Sequence, residues 1–240
     1  MNRRVLGSLK LVQSLLAKAY TMRGMACAGK SDYDRAIADY DQAIKLKPDH
    51  ADAYYYRGAA YYSKGDYDRA IADFDQAIKL RPGDDLAYGM RGMTYDHKGD
   101  YDHAIADFTQ AIKFVPDYAL AYANRGAAHY SLRGLVHAKR GDYDCAIADL
   151  DQAIKLKPDL AAAYGPRGTV YKLKGQKEKA MADLKKVLEL SNDPRLRQRA
   201  EEELEALGVS PIPHSPEAYL NRGLDYAANG DYDRAIADFD

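Results

Sequence analysis

Six histidines, two cysteines, many aspartates and a set of recurring arginines are the side chains of this 240-residue sequence that could do chemistry. The histidines are His50, His97, His103, His129, His137 and His214. His129 and His137 fall where related stretches of the chain place Tyr61, Tyr95 and Tyr171, so they read as variants of a core position and not as metal ligands. Cys27 occupies that same position, and Cys145 stands where a sibling stretch has Arg69. Neither thiol has a His or Asp arrangement that would generate a thiolate nucleophile. Two cysteines are also too few for a disulfide framework and lack metal-ligand spacing. The aspartates sit at helix starts and at repeat-fixed places, which leaves no distinct pair for general acid-base work. The glycines punctuate helices and form no phosphate loop. The expectation is therefore no enzyme, no catalytic residue, no metal and no cofactor.

The charge pattern that remains is periodic. Arg recurs at Arg23, Arg57, Arg91, Arg125, Arg133, Arg167 and Arg222, and Asp recurs at Asp39, Asp73, Asp107, Asp149, Asp183 and Asp238. The structural reading is a ladder of ion pairs between helices, bidentate where buried. The functional rival is a basic stripe for an acidic ligand. Net charge is −1 and pI about 6.6, so no basic excess exists to neutralise a nucleic-acid backbone. No apolar run approaches the roughly 18 residues a bilayer span requires. A reducing, cytoplasmic setting fits this composition. Met1 to Ser31 holds six basic residues and no acidic one, so organelle targeting is the minor alternative.

The elements that would hold these residues follow from a repeating unit. Arg-Gly falls at Arg23-Gly24, Arg57-Gly58, Arg91-Gly92 and Arg125-Gly126, each 34 residues after the last. In Ala51–Asp84, Tyr54, Gly58 and Tyr61 share one helical face. Gly65 suits a left-handed helix end and Asp66 the next N-cap. Ala70, Ile71, Phe74, Ala77 and Ile78 form the buried face of a second helix, which Pro82 terminates. Small residues at Gly58, Ala70 and Ala77 allow close approach. One such hairpin cannot bury its apolar faces alone, so neighbours must stack.

On Tyr54, Gly58, Tyr61, Ala70, Phe74, Ala77 and Pro82, the chain resembles the tetratricopeptide repeat (TPR) family over nearly its whole length. The resemblance implies an all-α fold, a right-handed superhelix of helix-turn-helix repeats. The expected order is an amphipathic helix at 1–16, with Leu9, Val12 and Leu16 on the face that covers the first repeat. Five repeats follow at 17–50, 51–84, 85–118, 119–160 and 161–194. A capping helix at 195–207, a proline-rich linker at 208–215 and a truncated sixth repeat at 216–240 complete the chain. Repeat four carries a second Arg-Gly at Arg133-Gly134, an apparent eight-residue duplication. It should lengthen a helix by about 12 Å and rotate its later face by about 80°. A kink near Leu132–Leu135 is therefore expected, with blocks at roughly 1–131 and 132–208.

The family's ligand surface is the concave side, lined by first helices. Carried over by repeat position, its candidates here are Met25, Asp52, Tyr55, Tyr62, Met93, Asp96, His97, Tyr130, Thr169 and Lys172, with Thr21, Ala59, Ser63, Gly89, Ala123 and Gly165 among the residues at the remaining places. The basic clamp with which family members hold a C-terminal carboxylate is missing, because Thr21, Met25, Tyr56, Leu86 and Met90 stand at its positions. The resemblance thus implies a non-catalytic scaffold that binds a protein or peptide segment. Two alternatives stand beside it. One is self-assembly into a homo-oligomer through the truncated repeat and the interrupted helix. The other is a regulatory array of a larger protein.

Overall fold

The computed structural model describes residues 3–135 and 141–209, together with Leu220, Gly223, Leu224, Ala227, Ala228 and Ile236; the side chains of 1–7 and 130–142 fall outside that description. Eleven helices and no strand lie among the described residues. They are α1 (Arg3–Ala28), α2 (Tyr33–Leu46), α3 (Ala51–Ser63), α4 (Tyr67–Leu80), α5 (Asp85–Lys98), α6 (Tyr101–Phe114), α7 (Ala119–Leu135), α8 (Gly141–Leu156), α9 (Ala161–Leu173), α10 (Lys177–Leu190) and α11 (Pro194–Ala206). Two compact units result, Met1–Ala163 and Tyr164–Asp240. No helix among the described residues is long and apolar enough to cross a membrane.

Local chemistry sets the helix ends. Asp32, Asp66 and Asp100 each accept a hydrogen bond from the backbone N–H three residues on, at 3.3–3.4 Å, and so open α2, α4 and α6. Gly65, Gly99 and Gly175 take left-handed φ values of 73° to 78° just beyond α3, α5 and α9. Ser31 holds φ 60° at the corresponding turn, a conformation that strains an L side chain.

In the first unit, consecutive helices pair as hairpins: α1 with α2, α3 with α4, α5 with α6, and α7 with α8. A glycine marks each crossing. A Cβ on Gly58 would lie 3.0 Å from Phe74 Cε1 and 3.2 Å from the Ala70 carbonyl oxygen. A Cβ on Gly92 would meet Phe108 Cε1 at 2.9 Å. Tyr40, Phe74, Phe108 and Leu150 are the large buried side chains of the four pairs, flanked by fully buried alanines. In the second unit, Gly168 approaches Leu184 in the same way, and Ala200 and Leu204 of α11 are buried as a capping helix requires.

The arginine ladder is present. Arg57 donates from Nε and Nη2 to the two oxygens of Asp73, at 2.8 and 2.6 Å, and Arg91 does the same to Asp107 at 2.8 and 2.7 Å. Arg23–Asp39, Arg125–Asp149 and Arg167–Asp183 repeat the fork. The third nitrogen, Nη1, reaches the preceding repeat: Arg57 to Asp41 at 2.5 Å, Arg91 to Asp75, and Arg125 to the Thr109 hydroxyl at 3.1 Å. Burial pushes the Asp73 and Asp107 carboxyls upward, and the bonds from Arg57 and Arg91 oppose that shift. Each arginine also lies over a tyrosine one turn earlier, as Arg57 does over Tyr54 at 5.5 Å. The rungs involving Arg133, Arg222 and Asp238 lie outside the described residues.

Three expectations change. No separate helix ends at residue 16, since α1 runs unbroken from Arg3 to Ala28. Its leading face does not cover the first repeat: Leu9, Val12 and Leu16 are 49, 50 and 45 % exposed. The reason is length, because α2 has 14 residues and buries only the later half of α1, at Ala17, Thr21 and Gly24. Third, the compact units divide at Ala163/Tyr164 and not at 131/132. The duplication leaves pairing intact, because Arg125 and Gly126 meet Asp149 and Leu150 upstream of it. α7 continues as helix through Leu132–Leu135, where the kink was expected, and residues 136–140 lie outside those described. The linker beyond Val209 and most of the sixth repeat lie there too.

Candidate functional site

Hairpin stacking places the first helices side by side, so their outward positions share one face within each unit. Between α1, α2 and α3 that face opens into a cavity of about 320 Å³. Met25 and Ala28 of α1 line it, with Tyr33 and Tyr40 of α2 and Tyr56, Ala59, Ala60 and Ser63 of α3. Met25 is 41 % exposed at its rim, and its floor is aromatic: Tyr40 and Tyr56 stack at 6.2 Å between centroids. Burial pushes the Tyr40 hydroxyl up to about 12, so that ring is uncharged across the physiological range. Met25, Ala59 and Ser63 were expected on this face; Tyr33, Tyr40 and Tyr56 were not. The last three sit at positions that a scheme based on first helices alone assigns to packing.

One repeat further on, Tyr62, Tyr67 and His97 form a second cluster. The His97 ring meets Tyr62 edge-on at 5.3 Å and stacks on Tyr67 at 5.8 Å. Burial raises the Asp96 carboxyl above its ordinary value beside the exposed His97. Met93 is half-buried against Ala104, Phe108 and Ala128, so its thioether contributes more to the seam than to the surface.

Other candidates turn inward. Tyr55 packs edge-on against Tyr56 at 5.2 Å and lies 6.0 Å from Phe74, and burial pushes its hydroxyl up to about 12. Its neighbours at the same repeat position behave alike. Thr21 is buried, donates to the Ala17 carbonyl and lies 3.3 Å from His50 Nε2. Gly89 faces Tyr118, and Ala123 is core beside Leu160. At Thr21, Gly89 and Ala123 this position meets the last residue of its own repeat. That signal was available, since His50, Tyr118 and Leu160 each stand one residue before a new first helix. Asp52 is held by Arg81 at 2.7 Å. Tyr130 lies on α7 with its side chain outside the described residues.

In the second unit, Thr169 and Lys172 converge on one acid. Thr169 Oγ1 donates to Glu203 Oε1 of α11 at 2.8 Å, and Lys172 Nζ lies 3.6 Å from Glu203 Oε2. Gly165 faces Val187. The two candidates come together, but around a residue of the chain itself.

No group of three His, Cys, Asp or Glu side chains among the described residues could hold a metal. Cys27 and Cys145 are free thiols, half-buried and exposed. His103 rests on Asp100 at 2.8 Å and stacks on Tyr95, reproducing with imidazole the contacts that Arg69 makes with Asp66 and Tyr61.

Family models described as tetratricopeptide repeat match residues 21–85, 195–240 and 161–194, and one described as TPR repeat matches 92–132 and 134–175. Solved structures resemble the chain closely in fold. A MamA protein superimposes with a TM-score of 0.62 at 25 % identity, over 82 % of this chain and 98 % of that one. TTC0263, a thermophilic TPR protein in Thermus thermophilus, gives 0.60 at 22 % identity, over 79 % and 99 %. YrrB, a TPR protein with an unusual peptide-binding site, gives 0.60 at 23 % identity, over 76 % and 90 %. No curated protein matches the sequence.

Proposed function

Since the chain belongs to the tetratricopeptide repeat family, a family of protein-interaction scaffolds, we propose that it is a non-catalytic cytoplasmic adaptor that binds a peptide along the first-helix face of its first unit. The cavity between α1, α2 and α3 carries this reading. It is open, floored by aromatic rings and rimmed by a methionine, the surroundings that favour an apolar anchor side chain. Tyr62, Asp96 and His97 extend the face by one repeat and offer polar contacts to the segment beyond the anchor. The likeness to YrrB, which has a peptide-binding site, is consistent with this use of the fold but does not locate the site. Helix packing pre-organises the face, so ordering falls mainly on the partner.

The test is a peptide-display selection on the full chain, followed by calorimetric titration of a recovered peptide against the wild type, Ala59→Arg and Tyr62→Ala. A guanidinium in the cavity should abolish binding while helicity is retained, and Tyr62→Ala should weaken it by on the order of tenfold. Peptides that bind both variants as well as the wild type would rule this face out.

A further inference from the structure

The outward side of α1 reproduces a surface that is buried everywhere else in the first unit. α3 presses Ala53, Tyr56 and Ala60 against Ala36, Tyr40 and Ala43 of α2, and adds Arg57 to Asp41. At the same places α5 and α7 bury Ala87, Thr94, Ala121 and Ala128 to 2 % exposure or less. Thirty-four residues before the α3 set stand Ala19, Met22, Arg23 and Ala26 of α1, and all four are exposed. Leu11, Val12 and Leu15 continue the same face toward the N-terminus at helical spacing, 50–61 % exposed. The arginine tells the same story. The Arg57, Arg91 and Arg125 side chains are 18–20 % exposed, whereas Arg23 is 66 % exposed. Its Nε and Nη2 hold Asp39, and Nη1, the nitrogen that Arg57 and Arg91 extend to the preceding repeat, meets no carboxylate among the described residues.

The missing occupant is specified by chemistry: a helix with small and apolar residues on one face and an aspartate opposite Arg23. The sequence contains one such stretch beyond the described hairpins. Residues 232–240 read Tyr-Asp-Arg-Ala-Ile-Ala-Asp-Phe-Asp, identical to Tyr67–Asp75 of α4, the segment that brings Asp75 to Arg91. Charge favours the match as well, because Met1–Ser31 has six basic residues and no acid. We propose that the outward face of α1 is a docking surface for the 232–240 segment of a second copy of this chain, with Asp240 on Arg23. The contact is heterologous, so copies would join head to tail. It uses a different surface from the peptide cavity and does not depend on it.

Sedimentation velocity of the full chain from about 1 to about 100 µM tests this. The wild type should gain mass with concentration. Leu15→Glu/Met22→Glu, both at exposed positions, and Asp240→Arg should each weaken association by at least about tenfold, with unchanged circular dichroism. Mixing those two variants should yield a dimer that stops there, since one retains an intact tail and the other an intact face. A wild type that stays monomeric throughout, or association untouched by the variants, would refute the proposal. Monomers that sediment with phosphatidylserine vesicles through Leu15 and Met22 would refute it too, and would assign the face to a lipid surface.

Discussion

The hairpins α3–α4 and α7–α8 make the same contacts from sequences of different length. In the first, Arg57 and Asp73 are 16 residues apart and Gly58 lies against Phe74 and Ala70. In the second, Arg125 and Asp149 are 24 apart, and Gly126 lies against Leu150 and Ala146. The eight added residues fall between Gly126 and Ala146 in the sequence and leave the crossing unchanged. What defines the pairing is thus the glycine contact and the guanidinium fork at the crossing, which both hairpins share. Of the two Arg-Gly pairs in repeat four, the first, Arg125-Gly126, occupies the crossing.

The strongest way to break this comparison is at the glycines. Gly126→Ala would set a Cβ 2.8 Å from Leu150 Cγ and 3.0 Å from the Ala146 carbonyl oxygen, and a backbone oxygen cannot swing aside. We expect a loss of about 3 kcal/mol in urea unfolding, with slightly less at Gly58→Ala. Gly134→Ala, at the duplicate and within α7, should not destabilise and should gain up to about 1 kcal/mol from helix propensity. If the two repeat-four glycines respond alike, the assignment of the crossing is wrong. Next come the forks. Asp73→Ala and Asp149→Ala each strand an arginine that is about one-fifth exposed, and each should cost about 2 kcal/mol. Equal costs would show that the longer connection leaves the ion pair intact.

A smaller effect separates the seams by pH. His50 lies beneath Thr21, whereas Leu160 holds the corresponding place beneath Ala123. Burial lowers the His50 pKa from 6.5. The unfolded chain therefore takes up the proton first, so this contribution is complete above pH 6.5 and is lost as pH falls toward the lowered folded value. Melting temperature should drop between pH 7.5 and 5.5, and the drop should shrink in His50→Gln. The smallest effect should come from deleting residues 133–140, which restores the regular spacing. Helicity should persist and stability should move by less than about 1 kcal/mol, as expected for a shortened connection. A collapse of α7–α8 in hydrogen exchange would show that the inserted segment supports the pair.

Much of the fold was legible because its signals are short-range and repeated. Asp66, Gly65 and Pro82 announce helix ends, and the Arg–Asp recurrence announced the ladder. The second function of each arginine was harder to see. Contact of Arg57 Nη1 with Asp41 depends on how one hairpin seats on another, and no local pattern encodes that seating. The site was only partly legible for a similar reason. Repeat position placed Met25, Ala59 and Ser63 on the open face, but it placed Tyr55 there too, and the side chain turns in against Tyr56 and Phe74. Tyr33 and Tyr40 reach the cavity from the second helix, which position rules for first helices omit. The exposed face of α1 also left a trace: no glycine or proline separates Ser8 from Arg23, so an unbroken helix longer than its partner was already written there.

Thr109 has a consequence for how the first unit would come apart. At the seams before α3 and α5 a carboxylate receives the reaching guanidinium, whereas before α7 a neutral hydroxyl does. Charge-assisted bonds are roughly twice as strong as neutral ones, so this rung ties α7 to α6 less strongly than its counterparts tie α3 to α2 and α5 to α4. In a linear array whose cooperativity is a sum of neighbour couplings, the weaker rung makes opening propagate less readily across the α6–α7 boundary. Thr109 would then divide the unit into two foldons, with amide protons on its two sides exchanging through separate events.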